Sequence, residues 1–225
     1  MSRPYVSIVI PTLNEQGNIK ALMGGIKKIM DDYDYELIVV DGNSTDGTAS
    51  IAKRLGAIVL KEGIGKGYAL RKGISAARGD IIISMDADLS NRPNELKLLI
   101  AGIEVGYDIC TGSRFLTGGG SDDMPLIRRF GNKMFVHIVN LLYGSHYTDM
   151  CYGYRSFGRG VLKKLDLKED GFGIETEINI KAQKRRMKIL EVPSFEKQRS
   201  KEQAKLRGFK EIGRASCRER VCLYV

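Results

Sequence analysis

Apolar positions in the first hundred residues alternate between two periods. Val6 to Ile10 is a mainly apolar run ended by Pro11, which reads as a buried strand. From Glu15 to Met30 the apolar residues Ile19, Leu22, Met23, Ile26 and Ile29 recur at helical spacing. Glu36 to Val40 predicts a second strand, followed by the polar loop Asp41 to Thr48 and a helix to Leu55. Ala57 to Leu60 predicts a short third strand, Gly63 to Gly67 a glycine-rich loop, Tyr68 to Arg78 a helix and Ile81 to Met85 a fourth strand. Pro93 to Val105 is helical, with Pro93 suited to the first helical position. Strand and helix in strict alternation predict an α/β fold with a mostly parallel central sheet flanked by helices.

After about residue 110 the rhythm changes. Asp108 to Thr111 predicts another strand, and Gly118 to Asp123 a flexible loop. Leu126 to Tyr143 reads as a long helix, apolar at 126, 127, 130, 134, 135, 138, 139, 141 and 142. That stripe is broader than a core-facing helix requires. Burial in the domain is expected, with a helix lying in a membrane interface as the competing reading. A strand near Tyr152 to Phe157, a helix near Glu175 to Arg185 and a strand near Lys188 to Val192 complete the pattern.

The 225 residues suit one sizeable α/β domain. No apolar run is long enough for a membrane span, and no basic-then-apolar leader opens the chain. The cysteines at 110, 151, 217 and 222 form no Cys-x-x-Cys pair, so reduced thiols and a cytoplasmic setting are expected. A net charge of +9 favours anionic partners. The segment Ile212 to Cys222, IGRASCRERVC, resembles the in-frame translation of a sequencing-adapter oligonucleotide. On that reading residues 212–225 are a non-native tail, and membrane helices could have followed Glu211 in the natural chain. Leaving it out removes three arginines and one glutamate, which lowers +9 to +7.

The chemistry concentrates in Asp86-Ala87-Asp88 at the end of the fourth strand. On extended backbone, residues two apart point to the same side, so both carboxylates converge at the C-terminal edge of the sheet, where open α/β folds bind ligands. Like charges that close call for a cation, and Mg²⁺ typically takes one or two carboxylates together with substrate phosphates. A polar turn closing a strand is the simpler alternative for this triplet taken alone.

The triplet is not alone. PTLNE at 11–15, DGNSTDGT at 41–48, GKGYA at 65–69, DADLSNRP at 86–93, GSRF at 112–115, DMCYGYR at 149–155 and FGIETEI at 172–178 occur in order. Together they resemble the inverting glycosyltransferases of family 2, and within them the dolichol-phosphate mannosyltransferase group. The resemblance spans roughly residues 4 to 207. It implies a GT-A type nucleotide-diphospho-sugar transferase fold, with a nucleotide-binding half over about 1–110 and an acceptor-binding half over about 111–211.

The implied reaction is metal-dependent transfer of a hexose, with inversion, from a nucleotide sugar (GDP-mannose expected) to a polyprenyl phosphate. The resemblance places Pro11, Thr12, Asn14, Glu15, Asp41, Asp46, Gly65, Lys66 and Ala87 at the nucleotide, and Asp86 and Asp88 on Mg²⁺ or Mn²⁺. Helix capping is an alternative role for Glu15 and Asp46. Arg114, Arg129 and Arg155, with Asp88, form the implied catalytic set; Arg199 and the less certain Arg128 join the arginines at the acceptor phosphate. An anionic phosphate nucleophile needs positioning more than a base, which agrees with two histidines, His137 and His146, that belong to no motif. Peripheral contact with the cytoplasmic face of a membrane is expected, and nucleic acid is not.

Two motifs depart from the pattern: Asp-Gly-Asn-Ser stands at 41–44 where many relatives carry adjacent acids, and RSKEQAKL replaces Arg-x-x-Gly-x-Ser-x-Leu near the end. UDP-glucose as donor, or a saccharide hydroxyl as acceptor with Glu175 or Glu177 as base, is the rival reading. A dinucleotide oxidoreductase is disfavoured because no G-x-G-x-x-G follows the first strand.

Overall fold

The computed structural model describes residues 3–61, 63 and 65–198; Arg199 and the adapter-like segment lie outside the described residues. Strands β1 (Val6–Thr12), β2 (Tyr35–Asp41), β3 (Ile58–Lys61), β4 (Ile81–Ser84), β5 (Ile109–Ser113), β7 (Arg155–Gly158) and β8 (Ile189–Pro193) form one sheet in the order β3-β2-β1-β4-β7-β5-β8. Short strands β6 (Gly120–Ser121) and β9 (Phe195–Glu196) pair separately. The helices are α1 (Gln16–Ile29), α2 (Thr48–Arg54), α3 (Lys66–Ala76), α4 (Leu96–Glu104), α5 (Leu126–Tyr143), α6 (Arg159–Leu165) and α7 (Ile174–Lys184).

Alternation along β1 divides the core into two layers. Val6, Ile8 and Ile10 pack with Ile19, Leu22 and Ile26 of α1 and Leu96, Leu99 and Ile100 of α4. Val9 turns to the opposite face with Ile38, Val40 and Ile82, covered by Leu70 of α3, Leu162 of α6 and Ile178 of α7. Burial on both faces is why these strands read as nearly continuous apolar runs.

The expectation of a mostly parallel sheet holds, with β7 running antiparallel to β4 and β5. The chain leaves β5, forms α5, and re-enters the sheet from the edge it has just left, so no crossover to the opposite edge is made. Three boundaries also differ. Lys66 and Gly67 open α3 instead of ending the preceding loop, Pro93–Glu95 is a single 3-10 turn ahead of α4, and the loop at 118–123 contains β6. The short helix α6 and strand β9 carry no periodicity long enough to predict.

Helix α5 has the predicted bounds and stops at Gly144, left-handed at φ 61°. Its expected burial is only half met. Phe135, Val136, Val139 and Tyr143 pack on Tyr147 and Met150. The other side exposes Leu126, Ile127, Phe130, Met134, Ile138, Leu141 and Leu142, with Leu126 at 81% and Leu141 at 77%. Among the described residues no helix is long and apolar enough to cross a membrane.

One buried acid fixes the entry to β4. Glu36 accepts hydrogen bonds from Ser7 Oγ (2.7 Å), from the Arg78 amide (2.7 Å) and from the Arg78 guanidinium (2.9 and 2.8 Å). Ser7 Oγ in turn accepts from the Gly79 amide at 2.7 Å. Burial alone would raise the Glu36 pKa, but these donors outweigh it and hold the carboxyl below its ordinary value. Since the folded value lies below the unfolded one, this contribution is complete above the unfolded pKa and disappears as pH falls through the folded one. Glu36→Ala is therefore expected to lower unfolding free energy at neutral pH by about 2–3 kcal/mol in urea titration. Glu36→Gln should show a shallower loss of stability on acidification than the wild type.

Candidate active site

The sheet order reverses direction between β1 and β4, which opens a crevice at the carboxyl ends of the strands. Pro11 to Glu15 leave β1 there, Asp41 ends β2, and Asp86 to Asp88 follow β4. Antiparallel β7 begins where β4 and β5 end, so Tyr152 to Arg155 arrive at the same edge, facing Arg114 after β5. One reversed strand thus brings the DMCYGYR motif beside DADLSNRP.

Ala87 is buried between the half-buried Asp86 and Asp88. The Asp86 amide donates to Asn91 Oδ1 (2.8 Å), and Asn91 Nδ2 donates to the Tyr152 hydroxyl (3.0 Å). Asp88 Oδ1 accepts from the Ser90 amide (3.1 Å) and hydroxyl (2.6 Å). Asp86 Oδ1 meets Lys66 Nζ at 2.7 Å, and the same ammonium lies 2.8 Å from Glu175 Oε1. Burial would pull the Lys66 pKa down, yet the two carboxylates prevail and hold it above the usual lysine value. A Cβ at Gly153 would fall 2.9 Å from Lys66 Nζ and 3.1 Å from Glu175 Oε1, so the bare backbone there roofs the cluster.

This donor set fits a hard divalent cation on one condition. Asp86 and Asp88 supply the one or two carboxylates such an ion takes, and diphosphate oxygens and water must complete its shell. Among the described residues no group of three or more His, Cys, Asp or Glu is placed to hold a metal unaided.

The glycines of GKGYA are required by the protein's own backbone. A Cβ on Gly65, at φ 131°, would fall 2.3 Å from the Asp170 carbonyl, and one on Gly67 2.3 Å from that of Glu169. The Gly67 and Tyr68 amides donate to the carbonyls of Gly171 and Asp170 (both 3.1 Å). Glu177, fully buried, secures that loop by accepting from the amides of Lys168 (2.8 Å) and Glu169 (2.9 Å) and from Lys181 Nζ (2.6 Å). Of the two acids in FGIETEI, Glu177 is thus a structural pin, while Glu175 faces the cluster.

At the ends of β1 and β2, Asp41 is buried and accepts from Ser44 Oγ at 2.5 Å; Ser44 Oγ accepts from the Asn14 amide at 2.8 Å. Asn14 Oδ1 takes the Thr45 amide (2.9 Å), and Thr12 Oγ1 reaches the Val40 carbonyl (3.4 Å). Asp46 accepts from the amides of Gln16 (3.1 Å) and Thr48 (2.9 Å), the first residues of α1 and α2, whose N-cap positions are Glu15 and Gly47. Glu15 is buried, its carboxylate bonded to Asn18 Nδ2 at 2.8 Å. The loop between β1 and α1 is thereby stitched to the loop after β2.

The arginines divide. Arg114 is buried, donating to both oxygens of Asp149 (2.7 and 2.9 Å) and to Glu196 (3.1 Å), with its guanidinium 4.7 Å from the Tyr152 ring centre. Arg155 is also buried, bonded to Asn179 Oδ1 (3.0 Å) and to the Tyr152 carbonyl. Burial pulls its pKa down against the pull of Glu175. Arg129 is exposed in the first turn of α5, and Arg128 beside it is half-buried. His137 and His146 are exposed. Sequence reasoning missed Asn91, Tyr152, Asp149 and Glu196 as partners. The first three lie inside quoted motifs, whereas Glu196 carries no local signal.

The sequence model of glycosyl transferase family 2 matches residues 7–166. The chain belongs to glycosyl transferase family 2. This family 2 chain is 33% identical to an uncharacterized protein of Methanocaldococcus jannaschii, covering 86% of this chain and 82% of that one. It is 33% identical to the dolichol-phosphate mannosyltransferase of Pyrococcus furiosus, covering 90% of this chain but only 59% of that enzyme. A third relative, the polyprenol monophosphomannose synthase of Mycolicibacterium smegmatis, is 29% identical over 83% of this chain and 75% of its own. Among solved structures, glucosyl-3-phosphoglycerate synthase from Mycobacterium tuberculosis, crystallised with Mn²⁺, UDP and glucosyl-3-phosphoglycerate, superposes with a TM-score of 0.69. Its identity is 23%, over 95% of this chain and 76% of that one, a likeness of fold. The family 2 fold here is the GT-A type.

The glycine argument predicts effects of opposite sign. Gly67→Ala must displace loop backbone and should cost about 1–3 kcal/mol, lowering the melting temperature by several degrees. Gly24→Ala, in mid-α1 with nothing within 4 Å of its Cβ, should raise stability by up to about 1 kcal/mol. Differential scanning calorimetry of the two variants measures both.

Proposed function

We propose that this family 2 enzyme transfers a hexose, with inversion, from a nucleoside-diphosphate sugar to a polyprenyl phosphate, GDP-mannose being the preferred donor. The observation that carries the lipid acceptor is helix α5. Its exposed apolar stripe runs beside Arg129 and Lys133, which is the composition of a helix seated at a membrane surface with cations at headgroup level. The names of the Pyrococcus and Mycolicibacterium relatives support the same acceptor class.

Asp41 and Glu15 would orient the nucleoside through its hydroxyl and N–H groups, from positions fixed by Ser44 and Asn18. Asp86 and Asp88 would hold Mg²⁺ or Mn²⁺, which supplies positive charge where the diphosphate departs. Arg129, exposed on α5, receives the acceptor phosphate. Arg114, held by Asp149 and Glu196, and Arg155, held by Asn179 and the Tyr152 carbonyl, act in this state by holding the acceptor-side wall in place. A phosphate oxygen attacks the anomeric carbon opposite the leaving diphosphate; one C–O bond forms as the other breaks. No side chain need remove a proton, because the nucleophile is already anionic. A hydroxyl acceptor would require a base, and Glu175 is already engaged with Lys66. The enzyme would then work at the cytoplasmic face of a membrane, with its donor pocket in the cytosol.

Purified protein given Mn²⁺, GDP-mannose and a short polyprenyl phosphate is expected to form a mannosyl-phosphate lipid, with the free alcohol inert and UDP-glucose a poorer donor. Equal glycosylation of the alcohol would overturn the phosphate acceptor, and preference for UDP-glucose would overturn the donor. Asp88→Asn should lose activity by orders of magnitude while keeping its melting temperature; full activity of this variant in metal-free buffer would remove the metal assignment. A Leu126→Asp, Phe130→Asp double variant should fail to co-sediment with anionic vesicles that retain the wild type. Undiminished retention would show that α5 is not the membrane face.

A further inference from the structure

The ammonium of Lys66 sits where positive charge is wanted by the carboxylates proposed to hold metal. It is bound to Asp86 on the β4 loop and to Glu175 on the first turn of α7, beneath the bare backbone of Gly153. A divalent ion at Asp86 with Lys66 still in place would bring two cations within a few ångströms of each other. Like charges that close in a mostly buried site repel each other, and solvent screens that repulsion only in part. The two occupants of Asp86 therefore compete.

The surroundings of Lys66 fix its backbone and leave its side chain able to move. Its neighbours Gly65 and Gly67 are held against the carbonyls of Asp170 and Glu169, and the amides of Gly67 and Tyr68 are bonded to the same loop. The main chain cannot shift without displacing that loop. The side chain, by contrast, is 16% exposed at the mouth of the crevice and has four flexible methylenes. An anionic diphosphate entering the crevice offers the ammonium a new partner and so frees Asp86.

We propose that Lys66 is a built-in counter-cation that occupies the charge position of the metal site until a nucleoside diphosphate draws it away. This makes metal and nucleotide uptake mutually dependent. The inference rests on the reading of Asp86 and Asp88 as a metal-diphosphate site. It assigns Lys66 a positioning role and gives the free enzyme a reason to disfavour stray divalent ions: Asp86 is already neutralised. By linkage, whatever factor GDP adds to Mn²⁺ affinity, Mn²⁺ adds to GDP affinity, and that factor is carried partly by Lys66.

Mn²⁺ binding, followed by the loss of the free-ion electron paramagnetic resonance signal, tests this without reference to turnover. Wild-type protein should bind Mn²⁺ weakly alone and much more tightly with saturating GDP or UDP. Lys66→Met, which keeps the chain length and removes the charge, should bind Mn²⁺ alone about tenfold more tightly, the factor expected when ~1.4 kcal/mol of opposition is lifted. The nucleotide's enhancement of Mn²⁺ binding should shrink accordingly. Lys66→Gln serves as the second variant should the methionine protein not fold. Glu175→Gln leaves the ammonium on Asp86 and should show no gain. Unchanged or weaker Mn²⁺ binding by the Lys66 variants, or an equal gain in Glu175→Gln, overturns the counter-cation. Failure of wild-type protein to bind Mn²⁺ even with GDP and UDP overturns the metal-diphosphate reading beneath it.

Discussion

The close approach of the 169–171 backbone to the start of α3 is the constraint on which the rest of the site depends. The Asp170 and Glu169 carbonyls occupy the space that side chains at Gly65 and Gly67 would need, while the Gly171 and Asp170 carbonyls accept the Gly67 and Tyr68 amides. That contact sets where Lys66 emerges, and therefore that its ammonium meets Asp86 and Glu175. The loop itself is held by one buried carboxylate, Glu177, whose oxygens collect two amides and the Lys181 ammonium. Removing Glu177 would leave those donors unsatisfied in the interior, which costs more than the net value of the bonds. The position of the Lys66 charge in the crevice is thus traceable to an acid on another helix, two residues after Glu175 on α7, whose bonds go to the 168–169 amides and Lys181.

The cluster around Arg114 follows a different logic. Arg114 lies in a nearly water-free setting between Asp149 and Glu196, with the Tyr152 ring against its face. Taking three ionised groups out of water is expensive, and their mutual attraction repays that only with good geometry. Here the geometry is a two-pronged bond to Asp149 and a single bond to Glu196, itself bonded to Ser121 at 2.6 Å. Because Glu196 lies in β9 and Ser121 in β6, the network ties together the two short strands at the far side of the crevice. A hydrophobic substitute could be equally stable, but it could not specify which loops meet.

Much of this architecture was legible in the sequence because burial on both faces writes itself into apolar runs. The strands after Val6, Glu36 and Ile81 and the whole extent of α5 follow from periodicity alone. What could not be read was long-range. Direction of β7 depends on which edge the chain returns to, and nothing in RSFG records it. The half-exposed state of α5 depends on how much of its circumference a neighbour covers, and the apolar count is the same either way. The glycines of GKGYA were visible as a glycine-rich loop, but the backbone that packs against them, at 169–171, lies far along the chain and leaves no local signal. Arg114 and Arg155 stand in the motifs, yet residue type cannot say whether a guanidinium faces a ligand or a buried acid.

The insertion of β7 into the sheet has a mechanical consequence. Strand β7, from the later half, is inserted between β4 and β5 and bonded to both, so the two halves share one continuous sheet. Arg155 is paired in register with Ser84, two residues before Asp86. A sheet cannot slide by less than a register step without breaking its ladder. The edge carrying Asp41, Asp86 and Asp88 and the edge carrying Arg114 and Arg155 are therefore one rigid surface, and hinge closure across that seam is not available. Proximity has to be built in, which is where much of a transfer enzyme's advantage over solution arises. The adjustments left to such a site are those of long side chains at its rim. Lys66, clamped in its backbone and flexible beyond it, is placed to make one.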